Sequence, residues 1–181
     1  ILIDWNSPKT VFEKKITLPQ WFEAQVAKTP NNVALSFEEQ ELSYLELNET
    51  ANQLARHIRD IYQTKTGAAL CRNTLVGICV DRSFDMVIGI LAILKAGGAY
   101  VPMDIQHPPE RLSAIIEDSG IEFVLSQESV IDRFTFLRSR EGLNVLALDG
   151  QAVLQVICNQ SVSNLAVEYS PDDLAYVIYT S

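Results

Sequence analysis

The sequence predicts an α/β fold, a largely parallel sheet flanked by helices with a small β-hairpin near its start. Three observations carry that expectation. Continuous apolar runs such as Leu75-Val76-Gly77-Ile78-Cys79-Val80 have the pattern of strands buried on both faces. Between such runs lie stretches with apolar residues at helical spacing, and strand alternating with helix builds a parallel sheet. Finally, 181 residues with 48% apolar and 20% charged content suit one sizeable domain or a large piece of a bigger one, not a disordered or coiled-coil chain.

Residues 1–17 are irregular, broken at Pro8, and read as a linker docked on the body formed by residues 18–181. Pro19 suits the first turn of a helix, Trp21, Phe22, Gln25 and Val26 supply part of its stripe, and Thr29-Pro30 stops it. Val33–Phe37 and Glu41–Tyr44 flank a polar turn and predict the hairpin. Ser43 stands three residues before Glu46, the capping-box spacing, and Leu47, Ala51, Leu54, Ala55, Ile58 and Ile61 form one face of the helix that follows. A strand is expected over 75–80. Ser83 is expected to cap a helix from Phe84 to Lys95, which Gly97-Gly98 ends. Ala99–Val101 is a short strand, Pro109 opens a helix that Gly120 stops, and Ile121–Ser126, Leu143–Leu148 and Leu174–Tyr179 complete the strands. Residues 127–142 and 149–171 read as loops with one short helix.

Fourteen Lys and Arg against twenty-three Asp and Glu leave a net charge of −9. With no basic stripe, the chain is a poor match to a phosphate backbone, so nucleic acid is excluded as a partner class. The most apolar run, Met86 to Leu94, is too short to span a bilayer, which needs about twenty residues. Cys71, Cys79 and Cys158 form neither a disulfide framework nor a metal knuckle, and only His57 and His107 add ligands. A reduced, cytoplasmic protein without a resident metal is expected.

Three places have the residue types for chemistry. The strand at 174–179 runs into Tyr179-Thr180-Ser181; ligands of open α/β sheets bind beyond the carboxyl ends of strands, and hydroxyls with successive N–H groups suit anionic oxygens. Lys95-Ala96-Gly97-Gly98 lacks the G-x-G-x-x-G spacing and follows a helix where a dinucleotide site would follow a strand. It reads as a helix C-cap with close backbone packing, Lys95 complementing the helix end. His57, beside Arg56 and Arg59, is expected on a solvated helix face, and His107 in the turn before Pro108-Pro109. Neither has an identifiable nucleophile or carboxylate partner for a hydrolytic triad.

Taken together, Leu42-Ser43-Tyr44 with Glu46-Leu47-Asn48, then Leu94-Lys95-Ala96-Gly97-Gly98-Ala99-Tyr100-Val101-Pro102-Met103-Asp104 with Pro108, Glu110 and Arg111 behind it, then Leu174–Ser181 resemble, in order and spacing, the first three core motifs of adenylation domains of non-ribosomal peptide synthetases, in the acyl-adenylate-forming superfamily. Asp4-Trp5-Asn6 and the segment Leu18–Pro30 resemble the linker and first helix between a condensation domain and its adenylation domain. Met103 departs mildly, standing where that family has Ile, Leu or another aliphatic residue.

The resemblance implies the N-terminal subdomain of an adenylate-forming enzyme fold, incomplete at its C-terminal end. It implies activation of an amino acid with ATP and Mg²⁺ to aminoacyl-AMP and pyrophosphate, then transfer to the phosphopantetheine thiol of a carrier protein. Implied partners are the remainder of the adenylation domain, an upstream condensation domain and a downstream carrier domain. By the same resemblance Thr180 and Ser181 begin the ATP phosphate loop and Tyr179 supports it. The first two motifs are mainly structural, and no catalytic or metal-binding residue falls within these 181 residues. The chain alone is therefore expected to be inactive, and its sheet to expose apolar surface. An acyl-CoA or aryl-acid ligase of the same superfamily, and a non-catalytic α/β interaction module, are the alternatives.

Overall fold

A computed structural model describes residues 16–180. All of the expected linker but Ile16 and Thr17, including Asp4-Trp5-Asn6, lies outside the described residues, as does Ser181.

The first helix among the described residues, α1 (Leu18–Lys28), starts where expected, with Pro19 in its first turn and Gln20 Oε1 accepting the Thr17 N–H at 3.0 Å. Strands β1 (Val33–Phe37) and β2 (Gln40–Ser43) pair antiparallel, Phe37 opposite Gln40. Ser43 ends that hairpin and begins α2 (Tyr44–Thr66): Glu46 Oε2 accepts the Ser43 N–H at 2.8 Å, while Ser43 Oγ accepts the Glu46 N–H at 3.2 Å. The two bonds satisfy backbone donors that a helix start otherwise leaves orphaned.

The main sheet is made of β3 (Leu75–Cys79), β4 (Ala99–Pro102), β5 (Phe123–Ser126) and β6 (Asn144–Ala147). It is parallel throughout, in the order β4-β3-β5-β6. Helices α3 (Phe84–Ala96) and α4 (Pro109–Ser119) are the crossovers into β4 and β5. Each strand is pleated with period two, so its side chains divide between two cores. Val76, Ile78, Phe123, Leu125 and Leu146 face one cluster, with Leu54, Ile58, Ala92 and Ile93 from α2 and α3. Cys79, Val101 and Val124 face the other, with Leu112, Ile115 and Ile116 of α4. The apolar run at 75–80 is thus continuous because both faces of β3 are covered.

Met103 fits that second core through Gly77. A Cβ placed on Gly77 would stand 2.9 Å from Met103 Cε and 3.0 Å from Val124 Cγ2. The unbranched thioether therefore lies across the bare backbone of the strand, an irregular gap that methionine's flexibility suits.

Several expectations need correction. Residues 127–142 and 149–171 hold three short helices, α5 (Glu128–Arg133), α6 (Phe136–Ser139) and α7 (Gln151–Ile157), not one. Val130, Ile131, Leu137 and Ile157 anchor them by burial, in segments too short for helical periodicity to stand out. The strands expected from Ile121 and Leu143 start at Phe123 and Asn144. Ser83 precedes α3, but its hydroxyl makes no cap bond; it donates to the Asp81 carbonyl and accepts from Gln127. Residues 174–179 do not form a full strand. A single parallel bridge joins Tyr176 to Tyr100 along the outer edge of β4, where the segment exchanges main-chain bonds with that residue alone.

Candidate functional site

The edge segment carries the residues singled out for phosphate binding. Two main-chain bonds fasten it: Tyr100 N–H donates to Ala175 O at 3.1 Å, and Val177 N–H donates to Tyr100 O at 3.0 Å. With Tyr176 level with Tyr100, parallel register places Ile178 level with Pro102, the last residue of β4, and Thr180 beyond it. Thr180 therefore lies on the carboxyl side of the sheet, where open α/β folds take ligands.

Side chains alternate along the segment. Val177 and Tyr179 pack against the core under α4, while Leu174, Tyr176 and Ile178 are 48%, 51% and 57% exposed. The Tyr176 and Tyr100 rings lie 5.7 Å apart, tilted. Beyond Val177 the holds come from α4: Tyr179 Oη donates to Asp118 Oδ2 at 2.7 Å, and Arg111 Nη2 donates to Thr180 O at 3.0 Å. The bond to Asp118, more than the slight burial, raises the Tyr179 pKa above its ordinary value. Thr180 is exposed. Sequence reasoning quoted Arg111 only as part of a motif and missed Asp118; nothing local marks either, since their partners lie more than sixty residues away.

The Lys95–Met103 motif is structural, in a way spacing did not disclose. Lys95 is completely buried, with Nζ 2.5 Å from Glu23 Oε1 on α1 and over the Phe22 ring. Burial lowers its pKa, and the Glu23 carboxylate opposes that shift. The helix end that Lys95 was expected to complement is satisfied by others: Tyr169 Oη donates to Lys95 O at 2.9 Å, and Arg59 Nη1 donates to Ala96 O at 2.6 Å. Gly97 has φ 92°, the left-handed cap that glycine accommodates. A Cβ on Gly98 would stand 3.0 Å from the Thr74 carbonyl oxygen, so close backbone packing accounts for the second glycine.

His57 is not on a solvated face. It is buried, its Nε2 lacks a hydrogen-bond partner, and burial lowers its pKa, with Asp60 acting in the opposite direction. The α2 face expected in water is instead covered by the chain around residues 158–164, to which Asn52, Gln53 and Arg56 donate. His107 is half-buried beside the turn at Asp104. Burial pushes the Cys79 thiol up to about 12, which removes it as a nucleophile. Among the described residues no three of His, Cys, Asp and Glu are grouped to hold a metal, and no helix is long and apolar enough to cross a membrane.

Two other polar places are already occupied by the protein's own bonds. At the carboxyl ends of β3 and β5, Gln127 accepts the Asp81 N–H and donates to Ser83 and Asp85. A cleft of about 360 Å³ between α2 and residues 160–167 is lined by Arg56, Arg59 and Asp60. Its arginines are bonded to the Ser163 and Ala96 carbonyls.

Known proteins resemble the chain over this whole architecture. It is 41% identical over 181 residues to gramicidin S synthase 2 of Brevibacillus brevis, covering 100% of the chain but 4% of that protein. It is 42% identical over 176 residues to gramicidin S synthase 1 of the same organism, covering 97% of the chain and 15% of that protein. The crystal structure of the non-ribosomal peptide synthetase FmoA3 with AMPPNP superposes with TM-score 0.81 at 28% identity, over 99% of this chain and 18% of that one. The N-terminal subdomain of Klebsiella oxytoca NpsA shares the fold, with TM-score 0.72 at 23% identity over 93% of this chain and 39% of that one. The chain thus spans a small part of each relative's length. Residues 22–181 match the family described as AMP-binding enzyme, and the chain belongs to that family.

Proposed function

We propose that the chain supplies the N-terminal part of an enzyme that activates an amino acid with ATP and loads it on a carrier protein. In this reading residues 1–17 link to an upstream condensation domain, and residues 18–181 begin an adenylation domain completed by further protein. The observation that carries it is the placement of Tyr179-Thr180 at the carboxyl edge of a parallel sheet, in a chain that matches AMP-binding enzymes from residue 22 onward. The likeness to gramicidin synthases favours an amino acid over an aryl or fatty acid as substrate, and three free cysteines suit a reducing cytoplasm.

A carboxylate oxygen attacks the α-phosphorus of ATP, the bond to the bridging oxygen of the β-phosphate breaks, and pyrophosphate leaves with that electron pair. The carrier's phosphopantetheine thiol, losing its proton, then attacks the acyl carbon and AMP departs. Both steps need charge on phosphate oxygens to be stabilised by fixed donors. Thr180 and Ser181 are assigned the first of those donors, and Tyr179 anchors them. Among the described residues no three of His, Cys, Asp and Glu are grouped to hold a metal, and no step is routed through Mg²⁺.

ATP–pyrophosphate exchange tests the reading. The full-length protein containing this chain should exchange label when supplied with one or a few amino acids, and the isolated 181 residues should not. No exchange by the full-length protein with any amino acid would refute the function. Robust, amino-acid-dependent exchange by the isolated chain would refute the division of labour.

A further inference from the structure

We propose that Arg111 and Asp118 of α4 are positioning residues that set the direction in which the chain leaves the sheet for the phosphate loop. This rests on the assignment of Tyr179–Ser181 to that loop. The segment is poorly held by its own backbone. Among the described residues, its last main-chain bond to the sheet is from Val177 to Tyr100, and only one bridge is formed. A segment with so few bonds and an exposed face belongs to the low-stability end of a structure.

Beyond Val177 the hold passes to side chains of one helix. Arg111 and Asp118 are seven residues apart, two helical turns, so they share a face of α4 and lie about 10 Å from each other along its axis. They grip consecutive residues by different groups. Asp118 takes the hydroxyl of Tyr179, whose half-buried ring packs against the core below, and Arg111 takes the Thr180 carbonyl. The first contact locates the chain, and the second turns it. A peptide unit is planar and trans, so holding the Thr180 carbonyl restrains the direction of the unit from which the following loop departs. Neither side chain is tied into the rest of the fold: among the described residues, the only side-chain hydrogen bond of each is to this segment. Both belong to the surface rather than the core, since Asp118 is exposed and Arg111 partly so. Their loss should therefore affect the loop and not the body.

The test uses the full-length protein with Asp118→Ala, Tyr179→Phe, both together, Arg111→Gln and Arg111→Lys. In ATP–pyrophosphate exchange each single removal should raise KM for ATP by roughly 3- to 10-fold, the size of one hydrogen bond. KM for the amino acid and the melting temperature should stay unchanged. The Asp118→Ala/Tyr179→Phe pair should be no worse than the poorer single variant, because both remove one bond, and Arg111→Lys should recover part of the loss. Hydrogen exchange should quicken over residues 177–181 while α4 keeps its protection. Unchanged KM for ATP together with unchanged exchange at 177–181 would overturn the inference while leaving the proposed function standing. A fall in melting temperature with both KM values rising together would reduce the residues to structural ones and overturn it equally. A wild-type protein without exchange activity would overturn the proposed function and this inference with it.

Discussion

Two regions carry the most informative residues of this chain, and they are built in opposite ways. The turn from α3 into β4 is closed on itself: Lys95 is paired inside the protein, the helix-end carbonyls are taken by Tyr169 and Arg59, and two glycines allow the backbone its path. The segment 174–180 is open, joined to the sheet by one bridge with alternate side chains exposed. The first region is distinctive in sequence because many neighbours constrain it. The second is where ligand chemistry is assigned, and the described residues leave its outer side free for other groups. The distinctive motif is packed as scaffold, and the plain one holds the edge to which we assign the phosphate site.

The strongest way to break this contrast is to unpair the buried lysine. Glu23→Ala leaves Lys95 as an uncompensated buried charge, and urea unfolding should show a loss of about 3–5 kcal/mol. Replacing both charges together, Glu23→Gln with Lys95→Met, leaves no buried ion unpaired, so its cost should be roughly 1 kcal/mol or less. The pH dependence has a definite sign. Burial lowers the Lys95 pKa from 10.5, so between the lowered value and 10.5 the unfolded chain binds a proton that the folded one does not. Stability from this group therefore rises with pH across that window, and Lys95→Met should abolish the rise. Equal costs for Glu23→Ala and the double variant would mean that the pair is not buried as described.

The cap beside it separates two costs. Gly97→Ala places a Cβ 3.1 Å from Val167 Cγ1 at φ +92°, whereas Gly120 has φ +65° with nothing within 4 Å. Gly120→Ala should show only the left-handed penalty of about 1 kcal/mol, and Gly97→Ala should approach about 2 kcal/mol. Thermal melts of the two variants measure the difference; a cost at Gly97 no greater than at Gly120 would show that the close packing contributes nothing.

What could be read from sequence follows the same division. The capping box at Ser43, the glycine stop at Gly97 and the βαβ order depend on residues a few positions apart, so local pattern discloses them. The assignment of a phosphate site to Tyr179-Thr180 comes from the resemblance and remains our proposal, since a strand running into hydroxyl residues also fits an ordinary solvated turn. Long-range burial was illegible. His57 has charged neighbours in the sequence and looks solvated, but residues 158–164 cover its helix. Lys95 carries a charge that normally marks a surface, and its partner lies 72 residues away. The Leu174–Tyr179 segment has the pattern of a strand, but it exchanges main-chain bonds with β4 at Tyr100 alone and forms a single bridge.

The smallest expected effect sharpens the contrast most. Ile178 is 57% exposed on the outer side of the edge segment, so Ile178→Ser removes little buried apolar area, and a surface change of this kind costs within about 0.5 kcal/mol. The same substitution at Val101, buried completely in β4 next to the bridge residue Tyr100, deletes core packing and places a hydroxyl where no water reaches, at a cost of about 2 kcal/mol or more. The two side chains differ only by one methylene, so the ratio of their costs in urea unfolding of the 181-residue chain reads the burial of each strand directly. A loss above about 1 kcal/mol at Ile178 would mean that this face is packed against protein and that the segment is as closed as the turn beside it.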